Sequence, residues 1–193
     1  MRLVSSFVEM CIEKDYISQE NAEWLRYALE KRIATVICFV PLLILGFMIA
    51  NSATVIGFFA AFCLLRTRTN GFHAKSIYRC LIYSILAEVL FLRVLPSIWN
   101  NMIAFVTLTM SIMLIWIYAP YNHPAINLTS EEASACAKSV KQRLCVLTIS
   151  LGALCARNEY QFALGILLGI VMTSSTLVMA YCLQGTMPEN NNI

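Results

Sequence analysis

Charged residues are scarce in this sequence. They make up 13% of its 193 residues, and hydrophobic residues make up 59%, whereas a soluble domain carries roughly 25% charged residues. The mean hydropathy is +0.70. A water-soluble globule of this size cannot bury so much apolar surface, so disorder, a fibrous repeat and an ordinary cytosolic enzyme are excluded. The composition predicts an integral membrane protein built from α-helices, and the mild net charge of +3 gives no indication of nucleic-acid binding.

Several catalytic and metal-binding signatures are also missing. None of the eight cysteines forms a Cys-x-x-Cys pair, which argues against a disulfide oxidoreductase or a zinc ribbon. The sequence contains neither His-Glu-x-x-His nor Gly-x-Ser-x-Gly, the signatures of zinc peptidases and of one class of serine hydrolases. A metal site joining His123 to His73 and Cys80 has no ligand spacing to support it. We therefore expect no metal and no cofactor.

Six apolar segments predict a polytopic bundle of about six transmembrane helices. They run over residues 33–50, 51–65, 80–96, 101–119, 144–156 and 160–183. The fifth holds only 13 residues between Arg143 and Arg157. That length is about 20 Å of helix, short of a hydrocarbon core of about 30 Å. The sequence leaves open whether this segment spans the bilayer.

The first 32 residues have a different character, in which charged and apolar residues alternate at helical spacing. One apolar face consists of Leu3, Val4, Phe7, Val8, Cys11 and Ile12. A second helix is predicted after Ser18, a suitable N-cap. These amphipathic helices either pack on the bundle or lie at the membrane interface. We expect residues 1–32 to precede a transmembrane bundle over 33–185, with a tail over 186–193.

Basic residues indicate the orientation. If residue 1 is cytoplasmic and all six segments cross, 12 of the 14 Lys and Arg residues lie in cytoplasmic regions. Cytoplasmic loops are enriched in these residues. The count predicts a multi-pass protein of the cell membrane with both termini in the cytoplasm.

The stretch 66–80 holds the strongest candidate for chemistry. It has no acidic residue, contains His73, and ends in Cys80 at the start of an apolar segment. A thiolate is the nucleophilic form of cysteine, and nearby cations or a helix N-terminus stabilise it. Ser76 is a suitable N-cap that places Cys80 in the first turn of the next helix.

The spacing of His73 and Cys80 sets a geometric condition. On one continuous helix they lie about 10.5 Å apart along the axis, beyond the roughly 3 Å reach of a general base. If they cooperate, the chain must turn back between them, and Asn70-Gly71 favours such a turn. Spacing alone leaves two interpretations open, a catalytic pair or a lone polar histidine beside a packed cysteine.

The same stretch resembles the AgrB family, membrane peptidases of Gram-positive quorum sensing. The family pattern is an Arg, then Gly-x-His-Ala, then a Cys seven residues after the His. This sequence matches it in order and spacing at Arg66, Gly71, His73, Ala74 and Cys80. Asn70 stands where many members carry a second glycine.

The resemblance implies a cysteine endopeptidase with His73 and Cys80 as the catalytic pair. Its substrate would be a small pheromone precursor similar to AgrD, cleaved near its C-terminus through a thioester on Cys80. A Cys or Ser of the bound peptide would then close a thiolactone or lactone ring. The resemblance also implies that Gly71 permits the turn, that Arg66 supports the site or holds a peptide carboxylate, and that the protein is a homodimer.

A second function stays open. Glu88 and Arg93 lie within the third apolar segment, and ionisable residues inside a membrane are usually functional. They are five residues apart, roughly 140° around a regular helix, so an ion pair within the helix is not assured. The alternative is a non-enzymatic small transporter or assembly factor in which these two residues line a path.

Overall fold

The chain folds into helices throughout the residues that the structure describes. A computed structural model describes residues 2–14, 16–17, 22–69, 77–98, 100–121 and 129–184. No strand occurs in these ranges. The predicted all-α class is therefore confirmed.

Eight α-helices and one π-helical turn make up the described fold. They are α1 (Arg2–Glu13), α2 (Ala22–Ile49), α3 (Ser52–Thr69), α4 (Ile77–Val89), the π-helical turn Leu90–Val94, α5 (Leu95–Ile98), α6 (Asn101–Tyr118), α7 (Ser130–Ala156) and α8 (Tyr160–Gln184). Helix α4, the π-helical turn and α5 follow one another without a break.

Among the described residues, four stretches of helix are long and apolar enough to cross a membrane. They are Cys80–Ile98, Asn101–Tyr118, Ser130–Ala156 and Tyr160–Cys182. The expected count of about six is not confirmed. In the first predicted segment, the apolar stretch covers only Val36–Ile49 of α2, which is short for a span.

Helix α7 extends well beyond the short segment 144–156. That run is the second half of a helix of 27 residues that begins at Ser130. A capping box starts the helix, because the Thr129 hydroxyl accepts from the Glu132 backbone N–H and the Glu132 carboxylate accepts from the Thr129 backbone N–H. Helix α7 is therefore long enough to span, with a polar first half.

The structure divides into two compact units, Met1–Ile44 and Leu45–Ile193. In the first unit, α1 confirms the amphipathic N-terminal helix. Val4 and Val8 are buried, while Phe7 of the same predicted face is 48% exposed. Helix α2 begins at Ala22 and continues past residue 32 without interruption. The predicted cap Ser18 lies outside the described residues.

The second unit is built around the contact between α3 and α8, where three glycines allow the backbones to approach. A Cβ atom at Gly57 would lie 2.7 Å from the Phe162 carbonyl oxygen, and one at Gly169 would lie 2.7 Å from the Phe58 carbonyl oxygen. A Cβ atom at Gly165 would clash with the Thr54 carbonyl oxygen. Small residues at helix interfaces are the usual means of close packing in membranes.

Side chains from four helices extend this contact into a core. Helices α3, α6, α7 and α8 contribute the buried residues Ala61, Leu65, Ile115, Val140, Leu144, Leu147, Ile166, Ile170, Leu177 and Ala180. A buried hydrogen bond of 2.9 Å from the Ser174 hydroxyl to the Ser111 hydroxyl joins α8 to α6. The core therefore fixes α3, the helix that carries Arg66.

Candidate active site

Cys80 lies in the first turn of a helix, as the sequence predicts. It is the fourth residue of α4, and its side chain is partly buried. The exposed backbone N–H groups of a helix N-terminus carry partial positive charge. The nucleophilic form of a cysteine side chain is the thiolate.

Arg66 supplies a second positive influence. It lies in the last turn of α3, beyond the apolar run 51–65 and outside the four possible spans. Burial lowers the pKa of the Arg66 guanidinium to about 10, while electrostatic attraction to Cys80 acts in the opposite direction. Arg66 therefore stays charged at neutral pH.

The end of α3 that carries Arg66 is fastened by α7. Arg143 Nη1 donates to the Leu64 carbonyl oxygen at 2.6 Å and to Thr67 Oγ1 at 2.7 Å. A cation at this end of a helix also complements the helix dipole. The sequence does not predict this role of Arg143, because the two residues that it binds lie 79 and 76 residues away along the chain.

A second attachment comes from the segment after α6. The Tyr121 backbone N–H donates to the Thr69 carbonyl oxygen at 2.9 Å. Tyr121 is buried, and its ring stacks edge-on against Tyr181 of α8 with a centroid distance of 4.8 Å. A cis peptide bond joins Ala119 to Pro120 just before it. The last residue of α3 is thus tied to α8 through one intervening side chain.

Several predicted site residues lie outside the described part of the chain. They are Gly71, His73, Ser76 and His123. Of the predicted site, the described residues include Arg66 in the last turn of α3 and Cys80 in the first turn of α4. The turn between His73 and Cys80, and the role of Gly71, stay predictions.

Glu88 occupies a different environment from Cys80. It is 2% exposed, and among the described residues neither carboxylate oxygen has a hydrogen-bond partner. A Cβ atom at Gly46 would lie 2.8 Å from Glu88 Oε1. Arg93 is exposed and lies in the π-helical turn, so the regular spacing assumed from the sequence does not apply. The two residues do not form an ion pair.

The described cysteines and acids form neither a disulfide bond nor a cluster of metal ligands. None of the eight cysteines forms a disulfide bond. No three His, Cys, Asp or Glu side chains of the described residues come together as metal ligands.

The comparisons with known proteins identify one family. The family Accessory gene regulator B (AgrB) matches residues 4–177, which is nearly the whole chain and includes both Arg66 and Cys80. No curated protein and no solved structure matches the chain. The chain therefore belongs to the accessory gene regulator B family, membrane proteins that take part in the processing of quorum-sensing peptides.

Proposed function

We propose that this protein is a membrane cysteine endopeptidase that matures a peptide pheromone. It cleaves the C-terminal part from a small precursor similar to AgrD and promotes closure of a thiolactone or lactone ring. The observation that carries the proposal is the position of Cys80 in the first turn of α4, in electrostatic contact with Arg66. A cysteine at the start of an apolar helix, beside the positive charge of Arg66, suits attack on a peptide carbonyl carbon.

The reaction starts when His73 takes the thiol proton of Cys80. Sγ attacks the carbonyl carbon of the scissile peptide bond, and collapse of the tetrahedral intermediate breaks the C–N bond. The leaving amine takes the proton from His73, and the N-terminal part of the precursor stays on Cys80 as a thioester. A Cys or Ser side chain within that peptide then attacks the thioester and releases Cys80.

Ring closure requires that water stays away from the thioester. The thioester keeps much of the acyl-transfer potential of the cleaved bond, so closure needs no ATP if hydrolysis is avoided. Cys80 is the first residue of a stretch of helix that is apolar enough to enter the bilayer. Its surroundings are therefore apolar on the side that faces the membrane. This position supports cyclisation over hydrolysis.

Four further elements belong to the proposal. Gly71 permits the turn that brings His73 to Cys80, and Arg66 binds a peptide carboxylate in addition to its effect on the thiol. The protein acts as a homodimer in the cell membrane of a Gram-positive-type bacterium. Both termini face the cytoplasm, which places Cys80 at the cytoplasmic edge of the membrane.

Co-expression with the precursor tests the function. The intact mass of the peptide is measured with wild type, Cys80→Ala, His73→Ala and a control, Cys63→Ala, which removes another partly buried cysteine. We expect truncated peptide with wild type and Cys63→Ala and none with the other two. A product lighter by one water than the hydrolysed peptide demonstrates ring closure.

The transporter alternative predicts the opposite pattern. Substitution of Glu88 or Arg93 would then abolish function while Cys80→Ser is tolerated. The peptidase proposal expects Glu88→Gln and Arg93→Gln to keep cleavage. Cleavage by Cys80→Ala would overturn the peptidase proposal.

A further inference from the structure

Two lysine residues of α7 lie one turn apart without an acidic partner. Lys138 is exposed and Lys141 is half-buried, and residues three apart on a helix have Cβ atoms about 5–6 Å apart. The positions three and four residues before and after each lysine hold no Asp or Glu, and among the described residues neither lysine forms an ion pair. Since like charges at this spacing repel each other, the pair attracts an anion that the described part of the chain does not supply.

Trp116 of α6 shows the depth of Lys141 in the membrane. The Nζ atom of Lys141 lies 5.1 Å from the centroid of the Trp116 ring, a cation–π contact. Trp116 is two residues from Tyr118, the end of α6, and α6 is one of the helices that can cross a membrane. The Trp116 side chain is 44% exposed. Because exposed Trp and Tyr at the ends of spans lie at the level of the lipid headgroups, Lys141 lies at that level too.

Both lysines belong to the face of α7 that is turned away from the core. Cys145 lies four residues after Lys141 and shares its face. Ile149 lies eleven residues after Lys138, close to three full turns. Cys145 is exposed and Ile149 is 72% exposed, whereas the core side chains of α7 lie on another side of the helix. The lysines therefore extend an exposed apolar surface to the level of the headgroups.

Arg143 lies on the opposite side of α7 from Lys141. The two residues are separated by about 200° around the helix, and Arg143 binds the Leu64 carbonyl oxygen and the Thr67 hydroxyl of α3. Helix α7 thus has one cation that holds α3 and two that face the lipid. The two lysines are separate from the candidate active site, and their ligand does not depend on the proposed peptidase function.

We propose that Lys138 and Lys141 bind the phosphate group of an anionic phospholipid whose acyl chains lie along the exposed apolar face of α7. An ammonium group has three N–H donors, so Lys141 donates to phosphate oxygens while it contacts Trp116. The two parts of such a lipid match the two parts of this surface, the cations and the apolar residues beyond them. Each lysine close to an anionic lipid surface strengthens binding by about fivefold.

The test measures lipid binding to the full-length protein in a neutral detergent by native mass spectrometry. Phosphatidylglycerol is titrated against phosphatidylcholine with the same acyl chains, and we expect the anionic lipid to bind roughly tenfold more tightly. Lys141→Gln should weaken binding of phosphatidylglycerol about fivefold, and Lys138→Gln/Lys141→Gln about 25-fold, with little change for phosphatidylcholine. Lys141→Arg keeps the charge and should bind like the wild type.

Arg157→Gln is the matched control, because it removes an exposed cation just beyond the opposite end of α7. It should bind phosphatidylglycerol like the wild type. Equal affinity of the wild type for the two lipids, or equal weakening by Arg157→Gln and Lys141→Gln, would overturn the site. Displacement of phosphatidylglycerol by inorganic phosphate or by a short poly-glutamate peptide at equal concentration would assign the lysines to a soluble anion and overturn the lipid as their ligand.

Discussion

Helix α8 and the helix that starts at Cys80 differ in how much of their surface the fold covers. In the apolar stretch of Tyr160–Cys182, 61% of the residues are buried, against 17% in that of Cys80–Ile98. Helix α8 achieves this by backbone contact with α3 at glycines, which leaves no room for side chains there. The helix of Cys80 keeps much of its surface uncovered, and the chemistry is assigned to its first turn. The difference indicates a closely packed scaffold, α3 with α8, which carries Arg66, and a more loosely packed helix, which carries Cys80.

From this comparison we expect substitutions in the contact between α3 and α8 to lower the free energy of unfolding. Gly165→Ala would place a methyl group against the Thr54 carbonyl oxygen and 2.9 Å from the Phe58 backbone nitrogen. Since neither backbone group can move independently, we expect a loss of more than about 3 kcal/mol, above the usual range for overpacking. Thermal unfolding in detergent measures it.

Gly152→Ala is the matched control for that substitution. No atom lies within 4 Å of a Cβ atom at Gly152, and it is also inside a helix. Alanine should raise stability there by about 0.5–1 kcal/mol, because glycine is unfavourable in a helix. Equal unfolding temperatures for Gly165→Ala and Gly152→Ala would contradict the described contact.

A second prediction concerns the few contacts that the helix of Cys80 does make. Gly46→Ala introduces a methyl group 2.8 Å from Glu88 Oε1 and 3.0 Å from Val55 Cγ1. Because the end of a glutamate side chain can shift, we expect a moderate loss of about 1–2 kcal/mol. The double variant Gly46→Ala/Glu88→Ala should recover part of the stability. Additive losses, measured by thermal unfolding, would show that the two residues do not meet.

A third prediction tests the effect of the Arg66 charge on the reactivity of Cys80. Arg66→Gln should slow alkylation of Cys80 at pH 7.5 by roughly threefold to tenfold, as expected for the loss of one nearby charge under partial solvent screening. Arg66→Lys should retain most of the rate. The control is Arg68→Gln, an exposed neighbour on the same helix. If both Gln variants react like the wild type, Arg66 does not activate the thiol.

The smallest expected effect concerns the hydrogen bond that joins α6 to α8. Ser111→Ala removes the hydrogen bond between α6 and α8, but the Ser174 hydroxyl keeps its bond of 2.8 Å to the Val171 carbonyl oxygen. We therefore expect a cost of about 0.5–1 kcal/mol. The cost is measured by thermal unfolding of Ser111→Ala. The control is Ser175→Ala, because the Ser175 hydroxyl bonds only to a carbonyl oxygen within α8. A cost above that of Gly46→Ala would reverse the expected order.

Local patterns in the sequence account for much of the fold. Helical periodicity locates α1, and the apolar runs locate α3, α6 and α8. The run 144–156 is misleading because the capping box at Thr129 starts α7 well before the apolar residues begin. Gly165-x-x-x-Gly169 is a recognised helix-packing signal, and it could have identified the contact with α3.

The candidate site is predictable only in its local part. The position of Cys80 in the first turn of a helix follows from the residues around it. The attachment of α3 by Arg143 depends on residues far apart in sequence, so no local pattern reveals it. The family resemblance supplies the pairing of His73 with Cys80, which spacing alone leaves open.

Direct capture of the acyl-enzyme tests the central claim that Cys80 is the nucleophile. Purified protein is mixed with synthetic precursor, quenched in acid and analysed by intact mass. We expect an adduct equal to the N-terminal part of the precursor on wild type and Cys63→Ala, released by neutral hydroxylamine and absent from Cys80→Ala. An adduct that persists in Cys80→Ala, or cleavage without any hydroxylamine-sensitive adduct, would contradict the account.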